Sequence, residues 1–336
     1  MAPSGGGYVL RKVGWALVTV LVVITFNFFL FRVLPGDPAK AGGKDPRLNP
    51  ATAAALTERF GLDKQAFLDL DGGNPLDTQY FAYLGALARG DLGESYVFRD
   101  RNVVDLLGEA LVNTLWLVLP SQAMSIVLGV MLGLVAAWKR RTGVDVAALA
   151  FSLFMWSLPT FFLGIILLFV GANWFDLPTS GRVTIGGVAG AWWDNLWDIG
   201  RHLLLPTLTL TLVLLGEYML IMRSSVLEVF SEDYILTARA KGLSTYRIIR
   251  DHALRNAMLP LVTLIALNLA FTVSGAIQVE AVFSWPGLGS LTVDAVDQRD
   301  YPVLQGAFLL IAVAVVLANL LADLVYGWLD PRVAGA

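Results

Sequence analysis

Residues Val13–Phe31 read VGWALVTVLVVITFNFFLF, a run of 19 residues without a charged side chain. About 20 apolar residues are needed to cross the ~30 Å hydrocarbon layer of a bilayer as a helix. Five further runs of similar character follow along the chain: Asn113–Ala137, Val146–Asn173, Leu203–Met222, Ala257–Val279 and Tyr301–Leu329. Only helices satisfy the backbone over continuous apolar runs of this length, since barrel strands are shorter and alternate. The sequence therefore predicts an all-α integral membrane protein with six transmembrane helices.

Composition supports this interpretation and excludes several classes of function. Of the 336 residues, 56% are hydrophobic and 15% charged, against about 25% charged in soluble domains. Cysteine is absent and histidine occurs twice, so we expect no disulfide and no metal site. A net charge of −3 argues against a nucleic-acid partner. The sequence contains no phosphate-binding loop, zinc-protease motif or nucleophile elbow, so we expect no catalytic residues and no cofactor.

The distribution of Lys and Arg predicts the orientation in the membrane. Twelve of these residues lie in segments 1–12, 138–145, 223–256 and 329–336, which together are less than half as long as the opposite set. That opposite set, 34–112, 172–202 and 281–302, holds eleven. Because cytoplasmic loops are enriched in Lys and Arg, we expect both termini to be cytoplasmic.

This orientation divides the chain into three predicted parts. Residues 1–112 are the first transmembrane helix and an extracytoplasmic cap, 113–329 a five-helix core, and 330–336 a cytoplasmic tail. In the cap, we expect one helix from Asn49 to Gly61 and another, capped by Asp77, that stops at Gly90.

The cytoplasmic loop 223–256 is predicted to contain a short helix with an acidic start and a basic end. Glu232 and Asp233 suit the positive end of a helix dipole, and Gly242 is suited to end the helix. Two interpretations remain open at this point: a helix that docks onto a soluble partner, or a helix that lies among lipid headgroups.

Several motifs resemble one family of transport proteins. The segment Asp233–Gly242, DYILTARAKG, followed by His252–Pro260, HALRNAMLP, closely resembles the cytoplasmic loop of bacterial ABC-importer permeases of the dipeptide/oligopeptide branch. The general permease loop has Glu, Ala, Ile and Pro at four positions where this chain has Leu236, Thr237, His252 and Arg255. These four departures from the general loop resemble the peptide branch. The further matching motifs are LPGDP at Leu34–Pro38, RGDLG at Arg89–Gly93, SLPTFF at Ser157–Phe162, EAVFSWPGLG at Glu280–Gly289 and LDPR at Leu329–Arg332.

The resemblance implies a type I importer permease fold and the B-type permease subunit of a peptide importer in the bacterial inner membrane. Such a subunit pairs with a second homologous permease, two cytoplasmic ATPases and an extracytoplasmic peptide-binding protein. The loop helix would then be the coupling helix that contacts an ATPase. Its expected contact residues are Glu232, Asp233, Tyr234, Ala238, Arg239, Lys241 and Gly242. Nickel and glutathione systems share this loop, so these substrates remain alternatives.

A secondary transporter that uses Glu217 or Asp323 as a proton site is an alternative of another class. The ordinary interpretation of each carboxylate is a position near the interface or a pair with a basic neighbour.

Polar groups on the fifth span are the predicted lining of the translocation pathway, because a peptide backbone needs hydrogen-bonding partners. They are Asn268, Thr272, Ser274 and Gln278. Hydrogen bonds between helices are the alternative use of such groups. Trp285, Pro286 and Gly287 form a predicted rim that faces the binding protein, with an interfacial aromatic anchor as the alternative.

Overall fold

The computed structural model describes residues 5–33, 64, 67, 76–98, 101–184, 186 and 192–329. Its contacts divide the chain into two compact units. The first, here the core unit, comprises Met1–Ala16, Val112–Ser290 and Ala314–Ala336. The second, here the cap unit, comprises Leu17–Leu111 and Leu291–Val313.

Helices make up nearly all regular structure in the described residues, and no strand occurs among them. The helices are α1 (Gly5–Val33), α2 (Gln79–Ala88), α3 (Val103–Trp138), α4 (Gly143–Ser157), α5 (Thr160–Phe175), α6 (Trp192–Val229), α7 (Asp233–Ala240), α8 (Thr245–Ile248), α9 (Leu254–Gly275), α10 (Ile277–Val282), α11 (Leu288–Gln298) and α12 (Tyr301–Leu329). A π-helical turn, Ile249–Ala253, joins α8 to α9.

Four helices in the described part of the chain are long and apolar enough to cross a membrane: α1, α3, α6 and α12. The predicted third span is a bent pair instead of one straight helix, because α4 and α5 meet at 103°. Pro159 lies at the bend, and Leu158 before it is extended (φ −73°, ψ 133°), as a residue before proline prefers. With this pair taken as one span, the described residues hold five, so a sixth remains a prediction.

The core unit is organised around α6, which α3 and α4 approach through glycines. A Cβ added at Gly129 would lie 2.6 Å from Tyr218 Cβ, and one at Gly133 would lie 2.8 Å from Met219 O. On the α4 side, a Cβ at Gly216 would lie 2.5 Å from Ser152 O. Small residues allow this close approach of backbones, which is how membrane helices gain van der Waals contact.

In the cap unit, α2 confirms the predicted helix before Gly90, which has a φ of +74°. The predicted cap residue is wrong: Thr78 occupies the N-cap position, and Asp77 forms an ion pair with Lys64. Aromatic packing fixes this helix, since the ring of Phe28 lies 5.3 Å from that of Tyr80. The predicted helix Asn49–Gly61 lies outside the described residues.

Candidate functional site

Helix α7 ends in a Schellman motif at Gly242. The Gly242 N–H donates to Arg239 O at 2.9 Å, and the Leu243 N–H donates to Ala238 O at 3.3 Å. Gly242 has a φ of +75°, the left-handed conformation that this motif requires and that glycine adopts without strain. The helix stop predicted at Gly242 is present, and no heavy atom lies within 4 Å of a Cβ added there.

One face of α7 packs against the chain itself. Ile235 and Ala238 are 0% and 5% exposed and form a cluster with Ile248 and Ala253. The expected ATPase contact of Ala238 is therefore wrong, because this side chain is covered by its own chain.

Outside this buried face, α7 is exposed and carries apolar side chains on two flanks, because Tyr234 and Leu236 are two residues apart in the helix. Tyr234, Leu236 and, in α8, Tyr246 are 39%, 54% and 59% exposed. The other exposed candidates are Glu232, Asp233, Arg239, Lys241 and Gly242. These exposed positions combine aromatic, aliphatic and charged groups, a mixture that both interpretations, a protein contact and a position among lipid headgroups, accommodate.

Side-chain contacts hold α7 in a fixed orientation. The Asn256 amide donates to the Tyr234 hydroxyl at 2.7 Å, which links α7 to α9. The Arg239 guanidinium lies 5.6 Å from the centre of the Phe230 ring. These contacts join the helix to the segments before and after it.

The polar candidates of the fifth span differ in their surroundings. Asn268 donates from Nδ2 to Glu217 Oε2 at 3.0 Å and to the Tyr218 hydroxyl at 3.2 Å. The Tyr218 hydroxyl donates in turn to Gln122 Oε1 at 2.9 Å. Asn268 thus belongs to a hydrogen-bond network that joins α9, α6 and α3.

The other three candidates are not brought into this network by the described contacts. The side chains of Thr272 and Ser274 lie outside the described part of the structure. Gln278 is exposed and belongs to α10, because the predicted continuous helix is interrupted at Ala276. The pathway lining stays a prediction.

From its sequence context, Asp323 is expected to lie near the interface or to pair with a basic residue, and it forms such a pair. Lys12 Nζ lies 2.9 Å from Asp323 Oδ2.

The predicted rim residue Trp285 is inside the protein. Its side chain is 0% exposed, packs with Leu117 and Phe283, and donates from Nε1 to Asn113 O at 2.8 Å. An indole enclosed in this way cannot face a binding protein, so the rim prediction is wrong for Trp285. Gly287 is also buried, whereas Pro286 is exposed.

Sequence reasoning gave no role to Glu280, which organises the turn between α10 and α11. The carboxylate is 0% exposed and accepts hydrogen bonds from the Thr114 hydroxyl at 2.6 Å and the Ser290 N–H at 2.9 Å. The Thr114 hydroxyl oxygen also accepts from the Leu288 N–H at 2.8 Å. Glu280 and Thr114 together satisfy the free N–H groups at the start of α11. Burial raises the pKa of the Glu280 carboxyl.

Two glycines make room for this carboxylate. A Cβ at Gly287 would collide with the Glu280 carboxyl, and one at Gly289 would lie 2.7 Å from Ile277 Cα. The available signal in the sequence was a glutamate at the end of an apolar run, followed closely by Gly287 and Gly289.

The fold and these motifs define an inner-membrane transport subunit. Residues 129–335 match the family described as binding-protein-dependent transport system inner membrane component, and the chain belongs to that family. It is 36% identical to the Di/tripeptide transport system permease protein DppB of Pseudomonas aeruginosa (strain UCBPP-PA14), over 97% of this chain and 98% of that protein. It is 37% identical, with the same coverage, to the Dipeptide transport system permease protein DppB of Escherichia coli (strain K12).

The fold resembles that of a solved importer. The inward-facing MetNI methionine ABC transporter matches with a TM-score of 0.55 and 18% identity, over 67% of this chain and 96% of that chain. The predicted all-α type I importer permease fold is confirmed. Family membership makes this chain a multi-pass inner-membrane transport subunit, not an enzyme, in a complex that includes ATPases and a substrate-binding protein.

Proposed function

We propose that this protein is a permease subunit of an ATP-driven importer of di- and oligopeptides. It pairs with a second homologous permease, two cytoplasmic ATPases and an extracytoplasmic peptide-binding protein. The observation that carries the proposal is the 36–37% identity, over 97% of this chain, to permeases named for dipeptide and di/tripeptide transport.

The exposed face of α7 is the surface through which the ATPases act. Transport requires two states of one pathway and an energy source that favours one of them. The sequence has no phosphate-binding loop, so energy reaches this chain by contact. Tyr234, Leu236 and Tyr246 give that contact exposed apolar groups, and Arg239 and Lys241 give it charged groups.

The peptide passes beside the polar groups of α9 and α10. Gln278 is exposed in α10, whereas the amide N–H groups of Asn268 bind Glu217 and Tyr218, so Asn268 borders the route as part of the network that joins α9, α6 and α3. We assign Thr272 and Ser274 to the same route from their positions in the sequence. In this arrangement both termini are cytoplasmic and segment 34–112 is extracytoplasmic.

Uptake by the assembled complex tests this function. The wild-type chain is reconstituted with its companion subunits in proteoliposomes, and accumulation of a labelled dipeptide is compared with that of glutathione and nickel. We expect dipeptide accumulation that needs ATP and the binding protein and is unaffected by a protonophore. Accumulation of nickel or glutathione alone, or uptake driven by a proton gradient without ATP, would contradict the proposal.

A further inference from the structure

One carboxylate joins the turn between α3 and α4 to the inner part of α6. Asp145 is 3% exposed. Arg223 Nε donates to its Oδ1 at 2.6 Å, and Arg223 Nη2 donates to its Oδ2 at 2.9 Å. A two-point pair of this kind fixes the angle as well as the distance between its partners.

The same carboxylate shapes the turn itself. The Arg141 N–H donates to Asp145 Oδ2 at 2.9 Å, and Arg141 has a φ of +61°. The Thr142 hydroxyl donates to Lys139 O at 2.6 Å. The backbone of the turn between α3 and α4 is thus hydrogen-bonded to the same Asp145 carboxylate that binds Arg223.

Close backbone contacts beside the pair leave the three helices little freedom to slide. A Cβ at Gly133, in α3, would lie 3.1 Å from the Arg223 N atom. A Cβ at Gly216, in α6, would lie 3.0 Å from Trp156 Cβ in α4. Packed surfaces of this kind resist continuous deformation, so displacement of one helix is passed to its neighbours.

Arg223 is also placed where the coupling movement must pass. It lies in the last two turns of α6, which ends at Val229, and α7 begins at Asp233. A displacement of α7 therefore reaches Arg223 before it reaches the remainder of α6.

We propose that Asp145 and Arg223 are positioning residues for transport: their two-point pair makes the inner ends of α3, α4 and α6 move as one body with α7. This inference rests on the proposed function for its energy source. Without the pair, α7 still binds an ATPase, but its movement is lost at the end of α6 and does not reach α3 and α4.

The first readout is the number of peptides imported per ATP hydrolysed by the reconstituted complex. Asp145→Asn removes the charge, and Arg223→Lys keeps the charge but loses the two-point geometry. We expect the ratio to fall about tenfold in Asp145→Asn and severalfold in Arg223→Lys, with ATPase pull-down unchanged. Lys139→Gln, at an exposed position in the same turn, is the matched control and should keep the wild-type ratio.

The second readout does not depend on the substrate. Spin labels are placed at Val144→Cys and Ser224→Cys, both exposed positions in a chain that lacks cysteine. We expect the distance between the labels to be the same with and without ATP in the otherwise wild-type complex, and to change with ATP when Arg223→Lys is added.

The possible failures are distinct. A wild-type import ratio in Asp145→Asn, an ATP-independent label distance in Arg223→Lys, or loss of ATPase binding in both single variants would each overturn this inference. A wild-type complex that imports no peptide would overturn the proposed function, and the label distance would then decide this inference alone.

Discussion

Two glycine-containing turns near the fifth predicted span show opposite uses of the same residue. At the end of α7, Gly242 has a φ of +75°, and a Cβ there would meet nothing within 4 Å. At the start of α11, Gly289 is not among the described residues with positive φ, but a Cβ there would lie 2.7 Å from Ile277 Cα. Gly242 is required by backbone conformation and Gly289 by lack of space.

The surroundings of the turns differ in the same way. Tyr234 and Leu236, beside the turn after α7, are exposed, whereas Trp285 and Glu280, at the turn between α10 and α11, are completely buried. The turn after α7 therefore leaves side chains exposed for the proposed ATPase contact, whereas the turn between α10 and α11 is part of the packed interior. Substitutions in the two turns should therefore separate function from folding.

Gly289→Ala should have the largest effect, on folding. Its Cβ would collide with the Ile277 backbone, which cannot move as a flexible side chain does, so we expect a loss of about 3 kcal/mol of stability. The measurement is the yield of monodisperse complex in detergent. Gly200→Ala, in α6 with open space around it, is the control and should not reduce the yield. A normal yield and melting temperature for Gly289→Ala would contradict the expected collision with the Ile277 backbone.

Gly242→Val should abolish import while the protein stays inserted and folded. A β-branched residue at positive φ costs roughly 1–3 kcal/mol, and this strain would redirect the chain after α7. We expect loss of ATPase pull-down and of peptide uptake. Gly242→Asn is the control, because Asn tolerates the left-handed conformation, and it should retain most activity. Normal pull-down and uptake in Gly242→Val would show that α7 is an ordinary interfacial helix.

The sequence predicts those features of the fold that depend on residues close to one another in the chain. The apolar runs placed α1, α3, α6 and α12, and the position of Gly242 after an acidic-to-basic helix placed its stop. The 103° bend at Pro159 was not predicted, because proline in an apolar run is compatible with a kinked helix or with a full break.

The turn between α10 and α11 depends on partners that are distant in sequence. Glu280 is satisfied by Thr114, which is 166 residues away, and Trp285 is covered by helices that no local pattern brings together. An aromatic residue in the core and one at the membrane interface look alike in a single sequence. The rim was therefore assigned to the wrong side chain.

Substitutions at Trp285 and Pro286 should divide stability from binding. Trp285→Phe loses the hydrogen bond to Asn113 O and leaves a cavity, so we expect a loss of about 2 kcal/mol of stability with unchanged affinity for the binding protein. Pro286→Ala, at the exposed position of the same turn, should show the opposite pattern. The measurements are thermal unfolding of the complex and titration with the binding protein. Weaker affinity of Trp285→Phe for the binding protein, with normal stability, would support the prediction that Trp285 faces that protein.

A smaller effect is expected from the ionisation of Glu280. Because burial raises its pKa, the folded state holds this proton more tightly than the unfolded chain does. Its contribution to stability is full below the unfolded pKa and is lost as pH rises through the folded pKa. The melting temperature of the wild type should therefore fall relative to Glu280→Gln as pH rises from about 4 to 8. A difference that stays constant or grows in favour of the wild type would contradict the raised pKa.

Crosslinking from adjacent positions in α7 tests the central claim, that its outward face is the ATPase contact. The chain has no cysteine, so single cysteines can be placed at Leu236, which is 54% exposed, and at Ile235, which is 0% exposed. Each variant is assembled with its companion subunits and treated with a short bifunctional reagent that joins the thiol to nearby amines. We predict a crosslink to an ATPase subunit from Leu236→Cys and none from Ile235→Cys. If neither position gives an ATPase crosslink in a complex that imports peptide, the proposed contact between α7 and the ATPase is contradicted.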